Sequence, residues 1–303
     1  MLTGIRSPGR AAEEVNKLFA KHVLSGLRPA TDVFDEDWDN LIVLDACRYD
    51  LLSEFDFEDG RFEARWSGGS NSLEFLEHNV AGKRLDDTVW VTANPWVERF
   101  ESDIYAVEHV WDTGWDDEHR TVLPETMKSE AMRAAEAYPR KRIVVHFMQP
   151  HYPFLGPTAD RELPDYRTFT GGGIISEHSE SQRDIWDHLQ RGTVSREAVW
   201  AAYRENLELT LPCARDLIAG LSGKTVLTAD HGNEFGSRCL PVPTRLYGHP
   251  AGYRTKNLVK VPWVVFDTSE RRPIESGRIR ERNAGDSDEV TERLRELGYA
   301  DPS

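Results

Sequence analysis

The 303-residue chain has only three cysteines, Cys47, Cys213 and Cys239, far apart and without a C-x-x-C pair. An odd count at such spacings excludes a disulfide framework and fits a reducing compartment. Long apolar runs are also missing: no window approaches the ~18 consecutive apolar residues that mark a membrane-spanning helix. Near the N-terminus, Glu13, Glu14, Lys17 and Lys21 stand where a secretory signal would need an apolar segment, so a cytoplasmic location is expected. Positive charge is outweighed. Against 52 acidic residues stand 37 basic ones, eight of them lysine, for a net charge of −15. A surface of that sign repels polyanions and argues against a nucleic-acid partner. Internal repeats and low-complexity tracts are absent as well.

What is present is ordinary globular material: 39% of the residues are hydrophobic, enough for a full core. Short apolar runs rich in β-branched residues recur at 41–44, 88–92, 143–147, 226–228 and 261–266. Helical patterns fall at 124–137, 197–220 and 288–297, between and after these runs. Strands alternating with helices predict an α/β fold, with a mostly parallel central sheet covered by helices on both faces. Residues 1–38 read as a helical extension (11–24) with a polar connector, followed by a single catalytic domain over 39–303. The segment around 160–192 reads as a long inserted loop that shapes the substrate site.

In such sheets ligands bind beyond the carboxyl ends of the strands, so the polar residues placed there are informative. The run at 41–44 delivers Asp45, the run at 226–228 delivers Asp230 and His231, and the run at 143–147 delivers Gln149 and His151. Two carboxylates and two imidazoles thereby converge on one edge, as nitrogen and oxygen ligands of a divalent ion do. Each alone has a plainer reading, as a helix N-cap or a satisfied histidine. A second element is the turn WSGGSNSLEF at 66–75, in which Asn71 and Glu74 have capping-box spacing. A serine hydroxyl on this turn would sit at a helix N-terminus, where free N–H groups and the dipole favour an anion.

These segments resemble the sulfatase-like branch of the alkaline phosphatase superfamily. The resemblance is carried by NLIVLDACRYD at 40–50, HFMQPHYPF at 146–154, TADHGNEFG at 228–236, YGHP at 247–250 with LVKVPWVV at 258–265, and ERLRELGY at 292–299. The order is the expected one over about residues 39–300. The resemblance implies that Asp45, Asp230 and His231 ligate a metal (Zn, Mn, Mg or Ca), and that His151, His249 and Asn71 meet the substrate. It implies a hydroxyl nucleophile, best aligned with Ser70, with Ser67 and Ser72 as alternatives. A second ion would be held by Asp184 and His188, which have D-x-x-x-H spacing, together with His249.

True sulfatases carry a C-x-P-x-R cysteine, and no cysteine here stands in that pattern; Cys239 comes nearest, with Pro243 in place of the arginine. The implied function is therefore metal-dependent hydrolysis or transfer of phosphate esters, monoester or diester, through serine. The alternatives are a sulfatase acting on sulfated glycans or small sulfate esters, and a catalytically silent member that binds an anion or a partner. The expected substrate is a small anionic ester or glycan; neither its identity nor the oligomeric state is legible.

Overall fold

A computed structural model describes residues 8–163 and 184–279, with Val290, Thr291, Arg293, Leu294 and Leu297. Eleven strands are present among them: β1 (Asn40–Asp45), β2 (Arg61–Trp66), β3 (Leu85–Thr92), β4 (Ile104–His109), β5 (Trp115–Asp116), β6 (Thr121–Val122), β7 (Arg142–Pro150), β8 (Thr225–Ala229), β9 (Glu234–Arg238), β10 (Arg245–Gly248) and β11 (Lys260–Phe266). Seven form one sheet in the order β2-β11-β8-β1-β7-β3-β4. The pairs β1–β7, β1–β8, β3–β7 and β3–β4 are parallel, whereas β11 runs antiparallel to both its neighbours. This is the expected α/β architecture, with one strand reversed.

The central strands are the continuous apolar runs of the sequence, because both their faces are covered. All six residues of β1 are buried, and its partners on either side include Val145, facing Ile42, and Thr228, facing Val43. The helices Pro124–Ala137 and Arg196–Gly220 fall within a residue of the expected bounds. The strands β2 and β4 had no expectation. Each lies at an edge of the sheet, and β2 (RFEARW) alternates charge with apolar residues because its outer side is open.

The expected N-terminal helix is longer than 11–24. It runs as Pro8–Phe19, a π-helical turn Ala20–Leu24 and Ser25–Leu27. It is docked: Nδ2 of the buried Asn16 donates to Val242 O and Thr244 Oγ1, both at 2.9 Å. Of the expected loop at 160–192, residues 164–183 lie outside the described residues. Its flanks are helical, Pro157–Glu162 and Ile185–Arg191, which corrects the loop reading there. The expected last helix is described only at Val290, Thr291, Arg293 and Leu294. Among the described residues no helix is long and apolar enough to cross a membrane.

Candidate metal centre

The parallel order β8-β1-β7 sets three carboxyl ends side by side, so Asp45, Asp230 and the turn carrying His151 meet at one edge. Just beyond β1 the chain turns through Ala46, whose φ of 58° lies in the left-handed region that non-glycine residues seldom occupy. The turn is held on both sides. Ala46 N–H donates to Asp230 Oδ1 at 2.9 Å, and the buried Tyr203 hydroxyl donates to Ala46 O at 2.6 Å while accepting from Arg48 N–H at 2.9 Å. Gly232, after His231, is required by close approach, since a Cβ there would stand 1.9 Å from the Asn257 carbonyl oxygen.

Asp45, Asp230 and His231 are fully buried and offer ligand atoms within 4.8 Å of one another. His231 Nδ1 lies 2.8 Å from Gly232 O. A carbonyl only accepts, so Nδ1 carries the proton and Nε2 presents its lone pair, 3.5 Å from Asp45 Oδ1 and 3.4 Å from Asp230 Oδ2. Three acceptors that cannot hydrogen-bond to each other are thus held together in a fully buried site. Such spacing suits a shared cation: with ligand bonds of ~2.0–2.2 Å, donors around a tetrahedral ion stand roughly 3.3–3.5 Å apart. Burial pushes the Asp230 carboxyl up, but His231, His146 and the Ala46 N–H more than offset it and hold the group well below the usual carboxylate range. A nitrogen-and-oxygen donor set of this kind fits a divalent ion such as zinc or manganese.

The three candidate serines are separated by the turn. Asn71 N-caps the helix Ser72–Asn79, its Oδ1 accepting from Glu74 N–H at 2.9 Å, which makes Ser72 the first helical residue. The Ser72 hydroxyl donates to Asp230 Oδ2 at 2.8 Å and lies 3.2 Å from Asp45 Oδ2 and 3.5 Å from His231 Nε2. Ser70 is directed elsewhere: its hydroxyl bonds Glu74 Oε2 at 2.8 Å and Pro250 O at 2.9 Å. Ser67 Oγ donates to the main-chain carbonyl of Asp230, not to its carboxylate. Asn71, expected to meet substrate, has its carbonyl oxygen occupied as the cap.

His151 and His249 are brought together, their Nε2 atoms 2.8 Å apart, and the His231 and His249 ring centroids are 4.8 Å apart. His151 Nδ1 donates to Tyr152 O at 2.5 Å. Its Nε2 therefore accepts the proton on His249 Nε2. Burial lowers the His151 imidazole to about 3, with the neighbouring His231 adding to it, and burial followed by His231 and His151 drives His249 well down. The expected second ligand group is not assembled among the described residues, where the one group of three or more such ligands is Asp45, Asp230 and His231. Asp184 N-caps Ile185–Arg191, its Oδ1 accepting from Asp187 N–H at 2.8 Å, and His188 Nδ1 lies 2.8 Å from Thr193 Oγ1.

Two residues at the centre had no assigned role in the sequence. Asn94, after β3, donates from Nδ2 to Asp45 Oδ2 at 2.8 Å. His146, inside β7, is fully buried with Nε2 3.7 Å from Asp230 Oδ2 and 3.9 Å from Asp45 Oδ2, and its ring nitrogens have no hydrogen-bond partner among the described residues. The register that sets it beside Val43 is what turns an interior strand residue toward the carboxylates. Gln149 donates to Val122 O at 3.1 Å.

No protein-family model matches the chain, and no curated protein matches it. Solved structures do match. One is the integral membrane protein lipooligosaccharide phosphoethanolamine transferase A (EptA) from Neisseria meningitidis, at 13% identity and TM-score 0.47, covering 77% of this chain and 47% of that one. Another is the C-terminal periplasmic domain of EcEptC from Escherichia coli in complex with Zn, at 13% identity and TM-score 0.47, covering 80% and 77%. A third is a protein in the alkaline phosphatase superfamily from Vibrio parahaemolyticus, at 10% identity and TM-score 0.44, covering 88% and 71%. The chain spans about half the length of the first.

Proposed function

We propose that this protein is a metal-dependent enzyme that cleaves or transfers phosphate esters, with Ser72 as its nucleophile. The observation that carries the reading is the Ser72 hydroxyl at the first residue of a helix, 2.8 Å from Asp230 Oδ2 and 3.2 Å from Asp45 Oδ2. Asp45, Asp230 and His231 would hold the divalent ion, with Ser72 Oγ beside it. When bound, the ion supplies Lewis-acid stabilisation of negative charge on the serine oxygen and on the phosphoryl group.

The residues of the chain account for the rest. Ser72 Oγ forms the new bond to phosphorus as the bridging ester oxygen departs, and its proton is lost to solvent, since the Asp230 carboxylate beside it, held well below the usual range, is a weak base. The uncharged His151–His249 pair shares one proton between two Nε2 atoms. Toward a bound ester, that N–H would hydrogen-bond a phosphoryl oxygen, while the departing alkoxide takes its proton from water. The N-terminus of Ser72–Asn79 adds main-chain N–H groups where equatorial charge accumulates. Water or an acceptor alcohol then releases the phosphoryl group from Ser72.

The reading is tested by metal content of the purified protein, together with turnover of p-nitrophenyl phosphate, bis-p-nitrophenyl phosphate and p-nitrophenyl sulfate. Bound divalent ion with chelator-sensitive release from a phosphate ester is expected. Turnover of the sulfate alone, or full activity in Ser72→Ala, would overturn it.

A further inference from the structure

A cavity of about 490 Å³ lies between the N-terminal helical segment and the hairpin of β9 and β10. That volume falls within the ~300–1,000 Å³ usual for small-molecule sites. Its apolar lining comes from Phe19, Ala20 and Leu24 on one side and Cys239, Leu240 and Pro241 on the other. The two sides are fixed relative to each other, because the Asn16 amide also accepts the Val242 N–H at 2.9 Å while donating to the same hairpin. The helical side is the π-turn Ala20–Leu24, a distortion frequent at functional sites.

The charged residues that line this cavity are of one sign. Arg28, Arg238, Arg254 and Lys256 line it, and no aspartate or glutamate does, in a chain with 52 acidic residues and a net charge of −15. None of the four is in an ion pair among the described residues, whereas ten other arginines are. Arg28 and Arg254 exchange bonds through carbonyls, Arg28 Nη1 to Arg254 O at 2.7 Å and Arg254 Nη2 to Arg28 O at 3.1 Å. Arg254 Nε is buried with no hydrogen-bond partner among the described residues. Arg238 and Lys256 are exposed, and so is Leu240 beside them, at 65%. Arg28 and Arg254 are taken up by main-chain carbonyls, which leaves the exposed Arg238 and Lys256 to meet an anion at the rim of the apolar floor.

We propose that this cavity binds an anionic amphiphile, with its alkyl or acyl chain against Phe19, Ala20 and Leu24 and its phosphate or carboxylate head between Arg238 and Lys256. An inorganic anion would leave the floor unfilled, and a neutral chain would leave the cations uncompensated. The site is separate from Ser72 and does not rest on the proposed ester chemistry.

Calorimetric titration of the full chain with dodecyl phosphate or dodecanoate, below their micellar concentrations, tests it. Inorganic phosphate and dodecyl maltoside serve as the arms lacking a chain or a charge. One-to-one binding of a charged chain is expected, at least about tenfold tighter than either partial probe, since a charge-assisted contact is worth ~1.5–3 kcal/mol. The surface variants Arg238→Ala/Lys256→Ala and Leu240→Asp should each weaken it about tenfold or more, with metal content and ester turnover unchanged. Equal affinity in all variants, no one-to-one binding, or uptake only above the micellar concentration would each overturn the proposal.

Discussion

Asn206 reaches the main-chain carbonyl of His151 with its Nδ2 at 2.9 Å, from a fully buried position on the helix Arg196–Gly220. The same amide nitrogen lies 3.3 Å from Pro150 O and 3.2 Å from Pro153 O, and Oδ1 accepts the Leu155 N–H at 2.9 Å. One turn earlier on the same face, Tyr203 grips the backbone that follows Asp45. A single helix thus fixes the turns beyond two strands, one carrying a metal-ligand candidate and the other a substrate-contact candidate.

Asn206→Ala should therefore act at a distance. Three carbonyls and one N–H lose a buried partner, a cost of about 1–3 kcal/mol in unfolding free energy. If the His151 turn is what loosens, KM for a phosphate ester should rise several-fold or more while metal content stays at the wild-type level. Denaturant unfolding and steady-state kinetics on the same preparation separate the two effects. A drop in metal content equal to the drop in activity would show that the helix acts through Asp45 instead.

Ser72 and Ser70 make opposite predictions. Ser72→Ala removes the hydroxyl that bonds the Asp230 carboxylate and should lower turnover by at least about a hundredfold. Ser70→Ala breaks only bonds to Glu74 and Pro250 and should leave activity within about tenfold, at a stability cost near 1 kcal/mol. Reversal of that order, measured on one phosphate ester, would return the nucleophile to Ser70.

The buried carboxylates Asp45 and Asp230 predict that metal and fold are linked. An ion that binds only the native state at a hundred times its Kd adds about 2.7 kcal/mol to stability. Thermal unfolding should rise with added zinc or manganese and fall with EDTA. In Asp230→Asn, which keeps the shape but removes the charge, the response to metal should be largely lost. An equal metal-dependent shift in wild type and variant would place the ion elsewhere.

The candidate metal centre was legible because its parts lie where the sequence pattern speaks most clearly. Asp45 and the pair Asp230 and His231 end runs buried on both faces, and a parallel sheet gathers such ends at one edge. Which serine hydroxyl faces the carboxylates turned on two residues of backbone. Asn71 was read as part of a capping box, and taking it as the N-cap already makes Ser72 the first helical residue and leaves Ser70 outside. Glu74 instead reaches Ser70 N–H at 2.8 Å, so the box is only half formed. His146 could not be told from an ordinary strand residue, because its facing depends on register with β1. The strand β2 was hidden for the opposite reason: at the edge it has no need of a continuous apolar run.

Asp184 offers the last prediction, and it bears on the second ion. The D-x-x-x-H spacing to His188 is that of adjacent helical turns, but Asp184 is spent as the N-cap of Ile185–Arg191. Burial raises its carboxyl to about 6, against the hydrogen bond from Asp187 N–H. The folded state therefore holds this proton more tightly than the unfolded chain, so stability should fall as pH rises from about 4 through 6. Asparagine caps a helix as well as aspartate and carries no charge to desolvate. Asp184→Asn should match wild type near pH 4 and exceed it by about 1–3 kcal/mol at pH 7.5, as read by urea unfolding at both pH values. A variant less stable than wild type at pH 7.5, with less bound metal, would mean instead that the Asp184 carboxylate serves as a ligand.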